Sequence, residues 1–138
     1  MSFVSGLEDS VAFTGWIPRA DLLELFATAT AFVFPSRYEG FGIPVLEAMT
    51  AALPLACSDI PVLREIAGDA ARYFDPEDPA SICRALSEIL DDRALRERIR
   101  AAGPKRAHSF SWDANAGALT QTFAALGPRR NLKRAGLG

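Results

Sequence analysis

Glu39 and Glu47 flank a stretch that reads E-G-F-G-I-P-V-L-E, with seven residues between them. An ionised carboxylate only accepts hydrogen bonds, so each is suited to gripping hydroxyl groups. Between the two acids, Gly40 and Gly42 lack a Cβ and allow a ligand close to the backbone. Pro44 is suited to the first position of a helix, where its missing N–H would go unused. The amides of Gly42, Ile43 and the first turn then point out of the helix start. Together with the helix dipole they form a site for an anion, most often phosphate. Two carboxylates would repel a bare phosphate. They suit a ligand that carries hydroxyls on either side of its anion, the layout of a sugar joined through a diphosphate to a nucleoside. Taken singly, Glu39 reads as an ordinary loop charge, and Glu47 as a first-turn residue worth about 0.3–1 kcal/mol against the dipole. Two carboxylates also suggest a glycoside hydrolase pair, but their placement around a phosphate-type helix start speaks against it.

The segments that must position these residues are legible on either side. Ala31–Pro35 is a continuous apolar run of the kind buried in parallel sheets, and it feeds the glycine turn. The helix opened by Pro44 carries Val45, Leu46 and Met49 and is expected to end near Ala51. Further strands are expected at Val11–Thr14, Leu55–Ser58 and Ala71–Phe74. Pro18 opens a helix to about Ala29, with Leu22, Leu25, Phe26 and Ala29 at helical spacing. Pro61–Ala67 is a short helix closed by Gly68. Asp78-Pro79 is a cap and first-position pair for a helix to about Leu90, with Ile82, Leu86, Ile89 and Leu90 on one face. Leu95 and Ile99 mark another helix from about Arg93, which Gly103-Pro104 is expected to interrupt. Ser111 caps a last helix from Trp112 to about Leu126, with Ala116, Leu119 and Phe123 expected inward. Alternation of strand and helix gives an α/β fold with a parallel sheet of about four strands flanked by helices, and a site at the carboxyl ends of its strands.

With 138 residues the chain is one domain at most. No apolar run approaches the roughly 20 residues of a membrane span, and no signal peptide is recognised. Cys57 and Cys83 fit no metal spacing and read as small buried hydrophobes, compatible with a reducing cytoplasm. His108 is the only histidine, which leaves a histidine metal centre or a Ser–His triad without support. The net charge of −2 speaks against nucleic acid as the main partner. Arg129, Arg130, Lys133 and Arg134 crowd the end of the chain, so residues 127–138 read as a basic, disordered tail after a domain of residues 1–126. Weak attraction of that tail to an acidic membrane surface is the alternative to simple solvation.

The strings V-A-F-T-G-W-I-P, A-F-V-F-P-S-R-Y-E-G-F-G-I-P-V-L-E-A-M, L-P-L-A-C-S-D-I-P-V-L-R-E-I-A-G-D-A-A-R-Y-F-D-P and F-S-W-D follow one another between about Gly6 and Leu126. In that order and spacing the chain resembles glycosyltransferase family 4 (glycosyl transferases group 1), the retaining GT-B sugar transferases with an E-x7-E signature. The resemblance implies transfer of a hexose from a nucleotide-diphosphate sugar with retention, to an acceptor it leaves unnamed. It gives Glu39 the catalytic position and, with Gly40, Phe41 and Gly42, the donor-sugar hydroxyls. Gly42 and Ile43 are implied for the phosphate, Glu47 for the ribose diol, and the turn at Trp16 and Ile17 for the nucleoside. No metal or cofactor is implied.

The resemblance reaches only the later part of the family's second, Rossmann-like, donor-binding domain. That domain's first two strands, its basic diphosphate-binding pair and the acceptor domain have no counterpart here. The isolated chain is therefore expected to be inactive, with Val11–Thr14 orphaned, re-paired against an exposed edge or paired with another chain, and with an open sheet edge prone to self-association. Peripheral membrane contact is expected of the full enzyme. The alternative is a non-catalytic remnant that binds nucleotide sugar weakly or mediates assembly; an unrelated nucleotide-binding α/β domain is a third reading. One position departs from the family: Ala52 stands where a glycine usually ends the helix, and a left-handed alanine there costs about 1 kcal/mol.

Overall fold

The computed structural model describes residues 6–7 and 9–126, with the side chains of Trp112 and Ala114 left aside. The basic tail expected at 127–138 lies outside the described residues. In chain order the elements are α1 (Arg19–Thr28), β1 (Phe32–Phe34), α2 (Ile43–Thr50), β2 (Leu55–Ser58) and α3 (Pro61–Ala67). A 3-10 turn (Gly68–Ala70) leads to β3 (Arg72–Phe74), α4 (Pro79–Asp91), α5 (Arg93–Ala107) and α6 (Trp112–Ala125). The chain is α/β, with a parallel sheet in the order β1-β2-β3. Phe32, Val33 and Phe34 stand opposite Leu55, Ala56 and Cys57, and Ala56, Cys57 and Ser58 opposite Arg72, Tyr73 and Phe74. All three strands therefore end on one side, where the loops after Phe34, Ser58 and Phe74 gather.

The central strand β2 is buried at every residue. Around it Val45 and Met49 of α2, Leu63 and Ile66 of α3, Phe74 of β3, Ile89 of α4 and Ile99 of α5 form one core. A second, smaller cluster joins Phe26 of α1 to Ala48 and Leu53, with Leu22 and Phe32 against it. Phe26 meets Phe32 edge-on at 5.3 Å between ring centres, the geometry that ring quadrupoles favour.

Several expectations are corrected by this architecture. Val11–Thr14 is not a strand, and the sheet has three strands among the described residues. The segment has no ladder partner and is exposed, with Phe13 at 81 %. In α1 only Phe26 is buried, and Leu25 and Ala29 are exposed, because the helix touches the rest of the molecule along a narrow stripe. On α4, Leu90 is exposed while Ile89 is buried. Cys57 is buried as expected, but Cys83 is exposed.

Gly103 and Pro104 do not interrupt α5, which runs through both. Gly103 is buried against the backbone of Met49 in α2, and Ile99 and Ala107 anchor the helix before and after it. Arg106 ties the same helix to the end of α3, donating through Nε to the Ile66 carbonyl at 3.0 Å and through Nη2 to that of Glu65. Arg100, whose carbonyl loses its usual donor to Pro104, is exposed and open to water. Tertiary packing on both sides of the proline thus outweighs the lost bond. Ala116, Leu119 and Phe123 of α6 do not face inward; Leu119 and Phe123 are 58 % and 68 % exposed.

Candidate functional site

The loop from Pro35 to Gly42 leaves the carboxyl end of β1 and turns into α2. Gly42 makes that turn as the N-cap residue, at φ +93° and ψ 47°, a conformation that favours glycine. A Cβ at Gly42 would also stand 2.7 Å from Leu63 Cδ2. Pro44 occupies the second helical position rather than the first, because Ile43 is already helical. The consequence for the helix start is small, since that position also lacks an intrahelical acceptor. The amides of Val45 and Leu46 already donate to the Gly42 carbonyl, at 3.0 and 3.2 Å. Gly42 and Ile43 have no backbone acceptor among the described residues, so theirs are the two open amides at this helix start. A Cβ at Gly40 would meet nothing within 4 Å. The space beside that backbone is therefore free of protein.

Glu39 is half-buried. Ser36 Oγ lies 2.9 Å from Glu39 Oε1 and 2.9 Å from the Tyr38 carbonyl, so one hydroxyl proton serves both acceptors and fixes the loop. Glu39 borders a depression of about 260 Å³ with Arg37, Tyr38, Ile60, Pro61 and Val62. Arg37 Nε pairs with Glu77 Oε1 at 2.7 Å, which joins the loops after β1 and β3 across the sheet end. Asp59, after β2, is held by Arg64, whose Nη2 donates to Oδ2 at 2.7 Å and whose Nε donates to Oδ1. That hydrogen bond keeps the Asp59 carboxyl below its ordinary range.

Phe41 packs edge-on against Phe110, 6.0 Å between ring centres. Together with Ile43, Leu46, Ser111 and Asn115 they line a second, more apolar depression of about 320 Å³. Glu47, one turn into α2, borders neither depression. Its Oε1 accepts from Arg19 Nη1 at 2.5 Å. The expected site residues are thus consecutive from Glu39 to Ile43 around the open amides, with Glu47 one turn further along the same helix. Trp16 is 88 % exposed beside α1.

Cys57 is a poor nucleophile: burial first, and then the Asp59 charge, push its thiol up to about 12. Burial also raises Tyr73, whose hydroxyl donates to the Gly68 carbonyl at 2.7 Å. Among the described residues no three of His, Cys, Asp and Glu gather as metal ligands would. No helix of these residues is long and apolar enough to cross a membrane.

Three features of the site escaped the sequence reading. Arg19 meets Glu47 from a separation of 28 residues, and Arg37 meets Glu77 across the sheet, and no local pattern signals either. Ser36, three residues before Glu39, was within reach of a local hydrogen-bond argument.

Residues 5–106 match the family model described as glycosyl transferases group 1. The chain is similar to O-antigen chain mannosyltransferase B of Escherichia coli, 41 % identical over 118 residues, which covers 86 % of this chain and 30 % of that protein. It is similar to glycogen synthase of Mycobacterium tuberculosis, 38 % identical over 116 residues, covering 82 % and 28 %. Among solved structures it is similar to sucrose-phosphate synthase from Thermosynechococcus elongatus, with a TM-score of 0.77, 29 % identity and coverage of 87 % and 31 %. The chain spans under a third of the length of these proteins.

Proposed function

The chain belongs to the family of glycosyl transferases group 1, and from that premise we propose that it is the donor-binding part of a GT-B glycosyltransferase of family 4. The reaction served is hexosyl transfer from a nucleotide-diphosphate sugar, with retention at the anomeric carbon. Glu39 and the backbone of Gly40, Phe41 and Gly42 hold the donor-sugar hydroxyls. The Gly42 and Ile43 amides take the phosphate nearest the sugar, and Glu47 takes the ribose diol. Catalysis in this reading is positioning of the sugar and stabilisation of the departing diphosphate, with no covalent nucleophile required of this chain. Fixed amides that cost no reorganisation are worth most in such a role.

The observation that carries the reading is the left-handed Gly42 cap, which leaves two open amides between two carboxylates on one loop and helix. The test is calorimetric titration of the chain with UDP, GDP and ADP and with their hexose conjugates, repeated with Glu47→Ala. Saturable binding that weakens at least about tenfold in the variant, as loss of hydrogen bonds to a charged group predicts, supports the proposal. Equal binding by both proteins removes Glu47 from the site. Absence of binding at millimolar ligand leaves the non-catalytic, assembly reading. Transfer or hydrolysis of the sugar by the chain would separate an active enzyme from a module that only binds.

A further inference from the structure

We infer that Arg19 is a positioning residue for Glu47 and, through it, for the adjacent hydroxyls of the donor's ribose; this rests on the donor-site reading above. The Arg19–Glu47 bond bridges the start of α1 and the second turn of α2. The carboxylate is the more covered partner, with its side chain 23 % exposed against 64 % for Arg19. An unpaired glutamate on a helix surface samples many rotamers; the guanidinium selects one. Only Oε1 is engaged, so Oε2 and the remaining lone pairs stay free to accept from a ligand. The pairing also offsets the negative charge beside the open Gly42 and Ile43 amides, where a diphosphate would otherwise meet an unbalanced carboxylate.

A merely structural role does not account for the pair. α1 is docked on α2 and β1 by Phe26, against Ala48, Leu53 and Phe32, two turns along from Arg19. Removing the guanidinium leaves that apolar contact intact. What changes is the freedom of the Glu47 carboxylate.

The experiment compares a nucleoside diphosphate with its 2′-deoxy analogue on the full chain, using whichever of UDP, GDP and ADP binds most tightly. Wild type, Arg19→Ala, Arg19→Lys and Glu47→Ala are titrated, and their melting temperatures are recorded. Wild type is expected to prefer the ribonucleotide by at least about tenfold, and Glu47→Ala to lose that preference. Arg19→Ala is expected to reduce it by about two- to fivefold, the range of an exposed ion pair, with its melting temperature little changed, and Arg19→Lys to restore most of it. A full preference in Arg19→Ala beside a lost one in Glu47→Ala overturns this inference alone. A full preference in Glu47→Ala overturns the donor-site reading itself. No ribose preference in wild type, or no saturable binding of any of the three diphosphates, overturns both.

Discussion

Gly103 lies flat against the backbone of Met49: a Cβ on Gly103 would stand 3.0 Å from the Met49 carbonyl oxygen and 3.3 Å from its Cα. Both obstructing atoms are main chain, so relief requires α2 and α5 to move apart. Helix propensity alone favours alanine at this position by about 1 kcal/mol. Overpacking costs about 1–3 kcal/mol. Gly103→Ala is therefore expected to destabilise by about 1 kcal/mol net, seen as a lower urea midpoint at an unchanged slope. A stabilised variant would show that the helix pair separates freely.

Ala52 carries φ +53°, the one left-handed residue other than glycine among those described. It follows α2, its amide donates to the Met49 carbonyl at 3.0 Å, and its left-handed turn lets the next amide, Leu53, reach back to the Ala48 carbonyl at 3.0 Å, so the conformation closes the helix. The left-handed penalty for an L side chain is about 1–2 kcal/mol, and the greater unfolded-state freedom of glycine returns part of it. Ala52→Gly is expected to stabilise by about 0.5–1 kcal/mol in chemical denaturation, with nucleotide binding unchanged.

The two loop glycines separate stability from binding. Gly40→Ala meets open space and is expected to leave the melting temperature within about a degree, while weakening diphosphate-sugar binding several-fold by filling the approach to the backbone. Gly42→Ala combines φ +93° with contact on Leu63 and is expected to lose about 1–3 kcal/mol of stability as well. Calorimetric titration beside thermal melts reads both effects. Unaltered affinity in Gly40→Ala would place the ligand elsewhere.

Acid sensitivity follows from three carboxylates held below their ordinary range. Asp59 is held by hydrogen bonding to Arg64, Asp78 first by the Ala80 amide it caps, and Glu88 by hydrogen bonding to Arg72. A depressed folded-state value gives stability that is fully present above the ordinary carboxylate range and is lost as pH falls through the folded value. The melting temperature is expected to be flat from about pH 7 to about 5 and to drop below about pH 4. Asp78→Asn keeps an acceptor for Ala80 and is expected to make the acid drop shallower with little change at neutral pH. A drop as steep as wild type's would show that Asp78 titrates normally.

The parts of the molecule legible from sequence are those decided locally. Phe32–Phe34 was readable as a strand because Ala31–Pro35 is a continuous apolar run of the kind a parallel sheet buries, and Leu55–Ser58 and Arg72–Phe74 fall within the short segments read as strands on either side of the Pro61–Ala67 helix. The left-handed geometry at Ala52 was readable because the end of a helix demands it whatever surrounds it. The loop around Gly42 was readable for the same reason, down to the glycine at the turn. The rest depends on partners far along the chain. Gly103-Pro104 reads as a break until Met49 is seen to need the bare backbone of Gly103. Leu119 and Phe123 have the spacing of a buried face, yet no described element covers them. Val11–Thr14 has strand composition, but a strand exists only with a neighbour to bond, and composition does not supply one. Arg19 becomes informative only once α1 lies across the start of α2.

The sheet order β1-β2-β3 repeats the order of synthesis. Each strand joins the edge left by its predecessor, so a ribosome can deliver the sheet one crossover at a time without threading or rearrangement. The lock arrives late. Until α5 has emerged, the Met49 backbone lacks Gly103 against it and the terminal carbonyls of α3 lack Arg106. A nascent chain halted shortly after α4 should therefore remain open to protease, and one extended past Ala107 should resist it.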